Sequence, residues 1–314
     1  MSGRMNGRKH WLLAGSVVAA LAAPWIVSDY NLRVLVLALQ SAIAVIGLAI
    51  AFGWAGLIQL GQAAFIGVGA YTSAILALKF GWSFWLAMPA GMVVAALLAL
   101  LIAVPMLRLR GHYLALATVG LNVSVEIVMK NWTPVTGGYD GISGIPGVSL
   151  FGLEVSGDKG GYFLSLAFLA VVALFALALR HSRFGRAMVA VRDDEIAAGT
   201  SGVAVVRTKV LAFVIASMLA ALSGSLYAHY AHFIAPGDFD LARSVTILVM
   251  LIAGGEMSVA GSIVGAIVLS FAPEWLRVVG DAYLAVFGVG VLLILVLMPE
   301  GIAGRARKLW ARHG

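Results

Sequence analysis

Residues 244–271 read SVTILVMLIAGGEMSVAGSIVGAIVLSF, an apolar run interrupted by the tripeptide Gly254-Gly255-Glu256. A membrane-spanning helix needs about 20 mostly apolar residues, because the chain rises about 1.5 Å per residue across about 30 Å of hydrocarbon. The whole run is long enough to cross. The pieces on either side of the glycines, of about 10 and 14 residues, are too short to cross separately without tilt. How this run is read therefore sets the number of crossings and the side on which the chain ends.

The surrounding sequence establishes the membrane setting. Of 314 residues, 62% are apolar and 11% charged, with a mean hydropathy of +1.01, whereas a soluble domain is about 45–50% apolar and about 25% charged. Too few polar side chains are present to cover a water-facing surface, which argues against a soluble enzyme. Further apolar runs lie at roughly 11–28, 32–52, 57–78, 84–107, 111–129, 162–180, 209–232 and 282–299. The first follows Arg4, Arg8 and Lys9 and contains the small-residue stretch ALAAP, which also suits a cleaved signal peptide. Another span follows almost at once, so a retained helix is expected. The expected fold is an all-α polytopic membrane protein with about eight spanning helices plus a glycine-broken re-entrant or half-helix hairpin, forming one transmembrane domain over 1–314.

Charge sets the orientation. The net charge is +7, and the basic residues gather at the N-terminus, at Arg108 and Arg110, in the 180–209 segment, and at Arg305, Arg307, Lys308 and Arg312. Lysine and arginine accumulate on the cytoplasmic side of membrane proteins, so the charge needs no nucleic-acid partner. Alternating the spans from a cytoplasmic N-terminus puts the first three clusters inside and residues 130–161 outside, as a periplasmic loop. One straight span at 244–272 would put the last cluster outside. A hairpin with its hinge at Gly254 and Gly255 keeps it inside. A second glycine-punctuated stretch, FGWAGLIQLGQAAFIGVGAY (52–71), lies in the first half. Two interrupted segments in two halves suggest an internal repeat, which in transporters often lines the substrate path.

Polar side chains are costly in lipid and so should face the bundle interior. In the fifth span Thr118, Asn122, Glu126 and Lys130 recur every four residues and share one stripe. In the third, Gln59, Gln62, Gly69, Thr72 and Ser73 share roughly one face. Both sets are candidates for a translocation path. Helix bridging by Thr118 and Asn122, an i,i+4 pair of Glu126 with Lys130, and close packing at the glycines account for the same residues without a solute. His229 and His232 near Asp238 and Asp240 suggest a metal site only superficially, since spacing fixes no third ligand and an interfacial place is expected. Gly261 and Gly265 form a GxxxG pair suited to close helix packing. Cysteine is absent, as are the phosphate loop, the nucleophile elbow and the HExxH helix. The chain thus reads as a non-enzyme without its own ATPase motif, and without a ring of mid-span carboxylates for proton coupling. Its energy should come from another subunit.

The stretch HSRFGRAMVAVRDDEIAAGTSGVAVVRT (181–208) is longer than a charged turn requires. Asp193, Asp194 and Glu195 followed by Ala197 and Ala198 read as a helix start with acids at the positive end of the dipole. Gly199 and Gly202 favour a break soon after. A short helix with a flat alanine face suits docking in a groove of another protein, although a solvated linker would carry the same charges.

The pattern Glu195-x-Ala197-Ala198-x-x-x-Gly202, preceded by GRAMVAVRDDE, resembles the cytoplasmic coupling loop of ABC importer permeases. With GLIQLGQAAFIGVGAYTSAIL (56–76), RLRGHYLALATVGL (108–121), TGGYDGISGIPG (136–147) and LIAGGEMSVAGSIVGAIVLSFAPEWL (251–276), the chain is similar over almost its whole length to the LivM-type permeases of branched-chain amino acid importers. Two departures are Gly199, where a better helix former is usual, and GGEMSVAGS, where a Gly-Gly-x-Gly run is usual. The resemblance implies a permease subunit in a bacterial inner membrane, with both termini cytoplasmic, that carries leucine, isoleucine and valine. A second related permease would complete a heterodimer, two cytoplasmic ATPase subunits would bind the ATP, so that this chain holds no cofactor itself, and a periplasmic binding protein would deliver the solute. Arg186, Asp193, Asp194, Glu195, Ala197, Ala198 and Gly202 are then the coupling residues, with Gln59, Gln62, Thr118, Asn122 and Glu126 on the path. Related permeases share these motifs, so urea, short amides or another small organic solute is the alternative cargo. A self-sufficient secondary carrier would need ion-coupling residues deep in the spans, and Glu126 is its one candidate.

Overall fold

In lipid every backbone N–H and C=O must find a partner within the protein, and a helix supplies them from its own segment, so long apolar runs fold as helices. The computed structural model describes residues 20–106, 112–150, 153–155, 157–276 and 288. In chain order its main helices are α1 (Asp29–Leu48, continued by a wider π turn at Ala49–Trp54), α2 (Gln62–Phe80), α3 (Phe84–Met106), α4 (His112–Asn131), α5 (Gly157–His181), α6 (Arg183–Asp193), α7 (Glu195–Thr200), α8 (Val205–Ala231), α9 (Leu241–Gly254) and α10 (Val259–Leu276). Six of these, α1 to α5 and α8, are long and apolar enough to cross a membrane. They match the six middle spans expected from hydropathy, and the all-α polytopic architecture is as expected. The span at 282–299 and most of that at 11–28 lie outside the described residues; of the latter, residues 20–26 are helical.

The expected third span starts later than its apolar residues suggest. Residues 56–61 are not helical, and α2 begins only at Gln62. The 244–272 run is a hairpin, as the charge argument requires. It leaves α9 at Gly254, turns through 255–258 and returns as α10. A Cβ on Gly254 would overlap the carbonyl of Gly261, and one on Gly265 would overlap that of Met250, so the two antiparallel backbones touch because both positions are glycine.

The centre of the bundle is α1 and α8. The apolar window of α1 is 83% buried within the chain and that of α8 72%, against 22% for α4 and 28% for α5, so the latter pair turns wide apolar faces to lipid or to another subunit. Helix α8 packs on α1, α2 and α3, and α1 packs also on α5 and α10. The α2–α8 crossing is again made by small residues, since a Cβ on Gly69 would overlap Ala221 and one on Gly224 would overlap Ile66. Beside it Phe65 and Phe213 meet edge to face at 5.6 Å.

Opposite the α6–α7 end, residues 133–150 and 153–155 carry the two-residue strands β1 (Ile142–Ser143), β2 (Ser149–Leu150) and β3 (Leu153–Glu154). Strand β1 pairs antiparallel with β4 (Phe233–Ile234), just beyond α8, and β2 pairs with β3. These pairings tie the loop across the helix ends.

Candidate coupling and translocation sites

The charged stretch between α5 and α8 folds as two short helices, for local reasons. Ser182 caps α6, its Oγ accepting from Gly185 N at 3.0 Å and donating to Leu179 O at 2.6 Å. A side chain at Gly185 would overlap the carbonyls of Leu179 and Arg180, so the sharp α5–α6 turn requires glycine there. Arg186 donates to His181 O at 2.9 Å. The three acids separate into three places. Asp193 closes α6. Asp194 is extended and caps α7, its carboxylate accepting from Ile196 N at 2.8 Å and Ala197 N at 3.0 Å. Glu195 opens α7, where the helix dipole favours an acid, and pairs with Lys209 on α8. An aspartate in cap position takes up two otherwise orphan N–H groups, which is why one expected helix start became a boundary between two helices.

Gly199 stays within the last turn of α7, and the chain reverses at Gly202, whose φ of +85° suits glycine. Ala197 is exposed, whereas Ala198 packs inward. The apolar side chain presented outward is Ile196, 77% exposed. Ile196 belongs to no motif, and its one signal in the sequence is an isoleucine beside a run of acids.

The second constellation surrounds the break between α1 and α2. Because α2 starts inside the bundle, its first N–H groups have no water to bond to. Side chains from other helices replace it. Leu60 N donates to Thr118 Oγ1 at 2.9 Å, Ala63 N to Ser244 Oγ at 2.9 Å, and Ala64 N to Asn122 Oδ1 at 2.9 Å. Ser244 in turn donates to Asn122 Oδ1 at 3.1 Å, and Thr118 to Ala115 O at 2.9 Å. Thr118, Asn122 and Ser244 are at most 1% exposed. Gln62, at the first position of α2, donates to Ala44 O at 3.0 Å. Neither amide atom of buried Gln59 has a partner among the described residues, nor does Oε1 of Gln62.

The period-four stripe on α4 thus divides. Thr118 and Asn122 brace the start of α2. Glu126 lies one turn on and pairs with Lys130 at 2.5 Å, and Lys130 stands 5.7 Å over the ring of Tyr139. Gln59, Gln62, Thr118 and Asn122 converge on one break, and Glu126 is set toward the 133–155 end. Ser244 belongs with them although no periodicity singled it out.

At that end the two histidines act as loop anchors. His229 contacts Pro146 O through Nδ1 at 2.7 Å and Ser73 Oγ through Nε2 at 2.7 Å, and His232 contacts Ile145 O at 2.8 Å. Among the described residues no three metal-ligating side chains come together. Beside them opens a cavity of about 300 Å³. In its wall Arg33 pairs with Asp158 at 2.8 Å, Tyr230 donates to Asp158 at 3.0 Å, and Gln40 donates to Ser165 at 3.2 Å. These partners lie more than 70 residues apart in the chain, beyond the reach of any motif.

A bundle of spanning helices interrupted deep inside, with an outward-facing capped helix pair at one end, defines a transmembrane permease. Its lineage is clear from comparison with known proteins: the chain belongs to the family described as branched-chain amino acid transport system, permease component, which it matches over residues 30–297. It is 33% identical to the high-affinity branched-chain amino acid transport system permease protein LivM of Escherichia coli (strain K12), over 94% of this chain and 75% of that protein. It is 27% identical to LivH of the same kind of system in Salmonella typhimurium, over 84% of this chain and 91% of that protein. The ribose import permease protein RbsC of Bacillus subtilis (strain 168) is 27% identical over 59% of this chain and 58% of its own length. No solved structure matches.

Proposed function

We propose that this chain is the permease subunit of an ATP-driven, binding-protein-dependent importer of leucine, isoleucine and valine. The observation that carries this reading is the 33% identity to LivM, which extends over 94% of the chain. An ATPase subunit docks on α7. Ile196 and Ala197 face it, Arg186, Asp193, Asp194 and Glu195 shape and charge its surroundings, and Ala198 and Gly202 set its angle to α8. A second permease related to LivH completes the pore, two ATPase subunits hold the ATP, and a periplasmic binding protein delivers the solute to the 130–161 loop. The α6–α7 end, the 181–208 segment and both termini lie in the cytoplasm of a bacterial cell, with the chain in the inner membrane.

The passage runs along the wall at the α1–α2 break. The unpartnered amide of Gln59 and the free Oε1 of Gln62 are the polar groups a passing solute meets, Thr118 and Asn122 hold that wall in place, Glu126 marks its outer end, and Gly254 with Gly255 forms the hinge of the adjoining hairpin. Among the described residues no charge pair at this wall grips an amino acid zwitterion, which suits a permease whose selectivity is supplied by its binding protein.

Initial uptake of radiolabelled leucine in cells with and without the gene tests the reading. Loss of uptake in the deletion, together with competition by isoleucine and valine but not urea in the parent, is expected. Leucine uptake unchanged in a deletion strain devoid of other leucine carriers would overturn it and turn attention to urea and short amides.

A further inference from the structure

The two interruptions of the bundle, around residues 53–61 and 254–258, are remote in sequence yet meet at one point, and one side chain of the α6–α7 segment grips both. Gly53, in the π turn ending α1, lies so close to the hairpin turn that a Cβ there would overlap the carbonyl of Glu256. Gly56, at φ +69°, directs the chain into the extended stretch toward α2 and packs on Arg192, whose Cγ would stand 3.3 Å from an added Cβ. The Arg192 guanidinium donates to Gly53 O at 2.5 Å, pairs with the Glu256 carboxylate and touches Met257 Sδ. Arginine suits this junction because its planar fork presents several donors in fixed directions, so one group can join a carbonyl on one segment to a carboxylate on another.

Two residues, Asp193 and Asp194, separate Arg192 from α7, so the guanidinium is tied to the docking helix by a short length of backbone. From there two routes lead inward. One runs from Gly56 through 57–60 to the start of α2. The other runs from Glu256 back along α9 to Ser244. Both end at the same buried cap, where Ser244 Oγ accepts from Ala63 N at 2.9 Å and donates to Asn122 Oδ1 at 3.1 Å. The Arg192 and Glu256 side chains are 29% and 31% exposed, shielded enough to hold a preferred geometry and open enough to part and re-form.

We infer that Arg192, through Gly53 and Glu256, is the positioning residue that converts movement of the docking helix into movement of the α1–α2 break and the α9–α10 turn. The inference rests on α7 being the ATPase contact. Arg192 touches no solute. Its effect lies in the ratio of solute moved to ATP hydrolysed.

The test uses the complete importer, reconstituted with both permeases, the ATPase subunits and the binding protein, with leucine uptake and ATP hydrolysis measured on the same preparation. Arg192→Ala and Glu256→Gln should assemble and hydrolyse ATP at near the parent rate while leucine moved per ATP falls about tenfold, within the ~5–150-fold range of intersite couplings. Arg192→Lys, which keeps the charge but not the fork, should lie between. Glu256→Gln leaves α6 and α7 untouched, so it decides the matter should Arg192→Ala fail to assemble. A parent uptake-to-hydrolysis ratio in assembled Glu256→Gln overturns the inference, as does failure of both variants to assemble, which would make the junction merely structural. An unmodified chain that retains no ATPase subunit overturns the docking reading along with it, and that result is visible before any variant is made.

Discussion

The two interruptions solve the same problem, ending one helix inside the bundle and starting the next, by opposite means. Between α1 and α2 the chain is extended, and the freed N–H groups are taken up by Thr118, Asn122 and Ser244 from α4 and α9. Between α9 and α10 the turn supplies its own bonds. Gly255 N reaches Leu251 O at 2.9 Å, Ser258 N reaches Gly255 O at 3.1 Å, and Ser258 Oγ accepts from Gly261 N at 3.2 Å. What holds the hairpin shut is the absence of side chains at Gly254 and Gly265. The first break is therefore a joint whose bonds come from its neighbours. The second is a closed unit held by volume.

This difference predicts a ranking of mutational effects. Gly265→Leu should be the most damaging, because its Cβ already meets the Gly254 backbone at 2.8 Å as well as the Met250 carbonyl, and no rotamer relieves a backbone overlap. A loss of about 3 kcal/mol or more is expected, at the upper end for overpacking, visible as a lost or strongly lowered thermal transition in detergent. Gly120→Leu is the control, since a Cβ at Gly120 meets nothing within 4 Å.

At the joint, Asn122→Ala leaves Ala64 N without an acceptor and removes one for the Ser244 hydroxyl. Each buried group so orphaned costs about 1–3 kcal/mol. Thr118→Val keeps the shape, orphans Leu60 N alone and should cost about 1–3 kcal/mol. The bond between Asn122 and Ser244 makes a further test possible. Stability losses of Asn122→Ala and Ser244→Ala should fail to add by about 0.5–3 kcal/mol, as for residues sharing one network, whereas distant unlinked sites usually add within about 0.5 kcal/mol. Additivity of Asn122→Ala with Ser244→Ala would show that the joint is no network.

The hairpin was legible in the sequence, whereas of the joint only a glycine-punctuated stretch at 52–71 was, and the bonds that hold it were not. The hairpin's causes are local or global in kind: a glycine pair, and a charge asymmetry that a straight span would violate. The joint's causes are particular and remote. Leu57, Ile58 and Leu60 look like helix interior, and only Gly56 in a left-handed turn, with capping groups 58 and 181 residues away, keeps them extended. The period-four stripe identified Thr118 and Asn122 as inward-facing, yet periodicity along α4 says nothing of which N–H they meet. In the charged loop, three consecutive acids look alike until a boundary falls among them. Composition names the residues that matter there, and geometry decides that Asp194 caps while Asp193 closes the helix before it.

Asp194→Ala should have the smallest effect, and it sharpens the comparison most. The bonds from Asp194 to Ile196 N and Ala197 N are the same kind as those from Thr118 and Asn122 to Leu60 N and Ala64 N: a side-chain oxygen accepting from the free amides around a helix start. The difference is water. Asp194 is exposed, so water replaces the lost acceptor and the cost should stay near 0.5–1 kcal/mol, at about the low end for a cap. A helix of one and a half turns has little stability of its own, so the loss should stay local. Amide exchange should quicken across 196–203 while the thermal transition of the whole chain hardly moves. Thr118→Val, by contrast, should lower that transition. Equal shifts from the two substitutions would mean that burial is not what gives the joint its strength, and that α7 is coupled to the bundle more tightly than its exposed bonds imply.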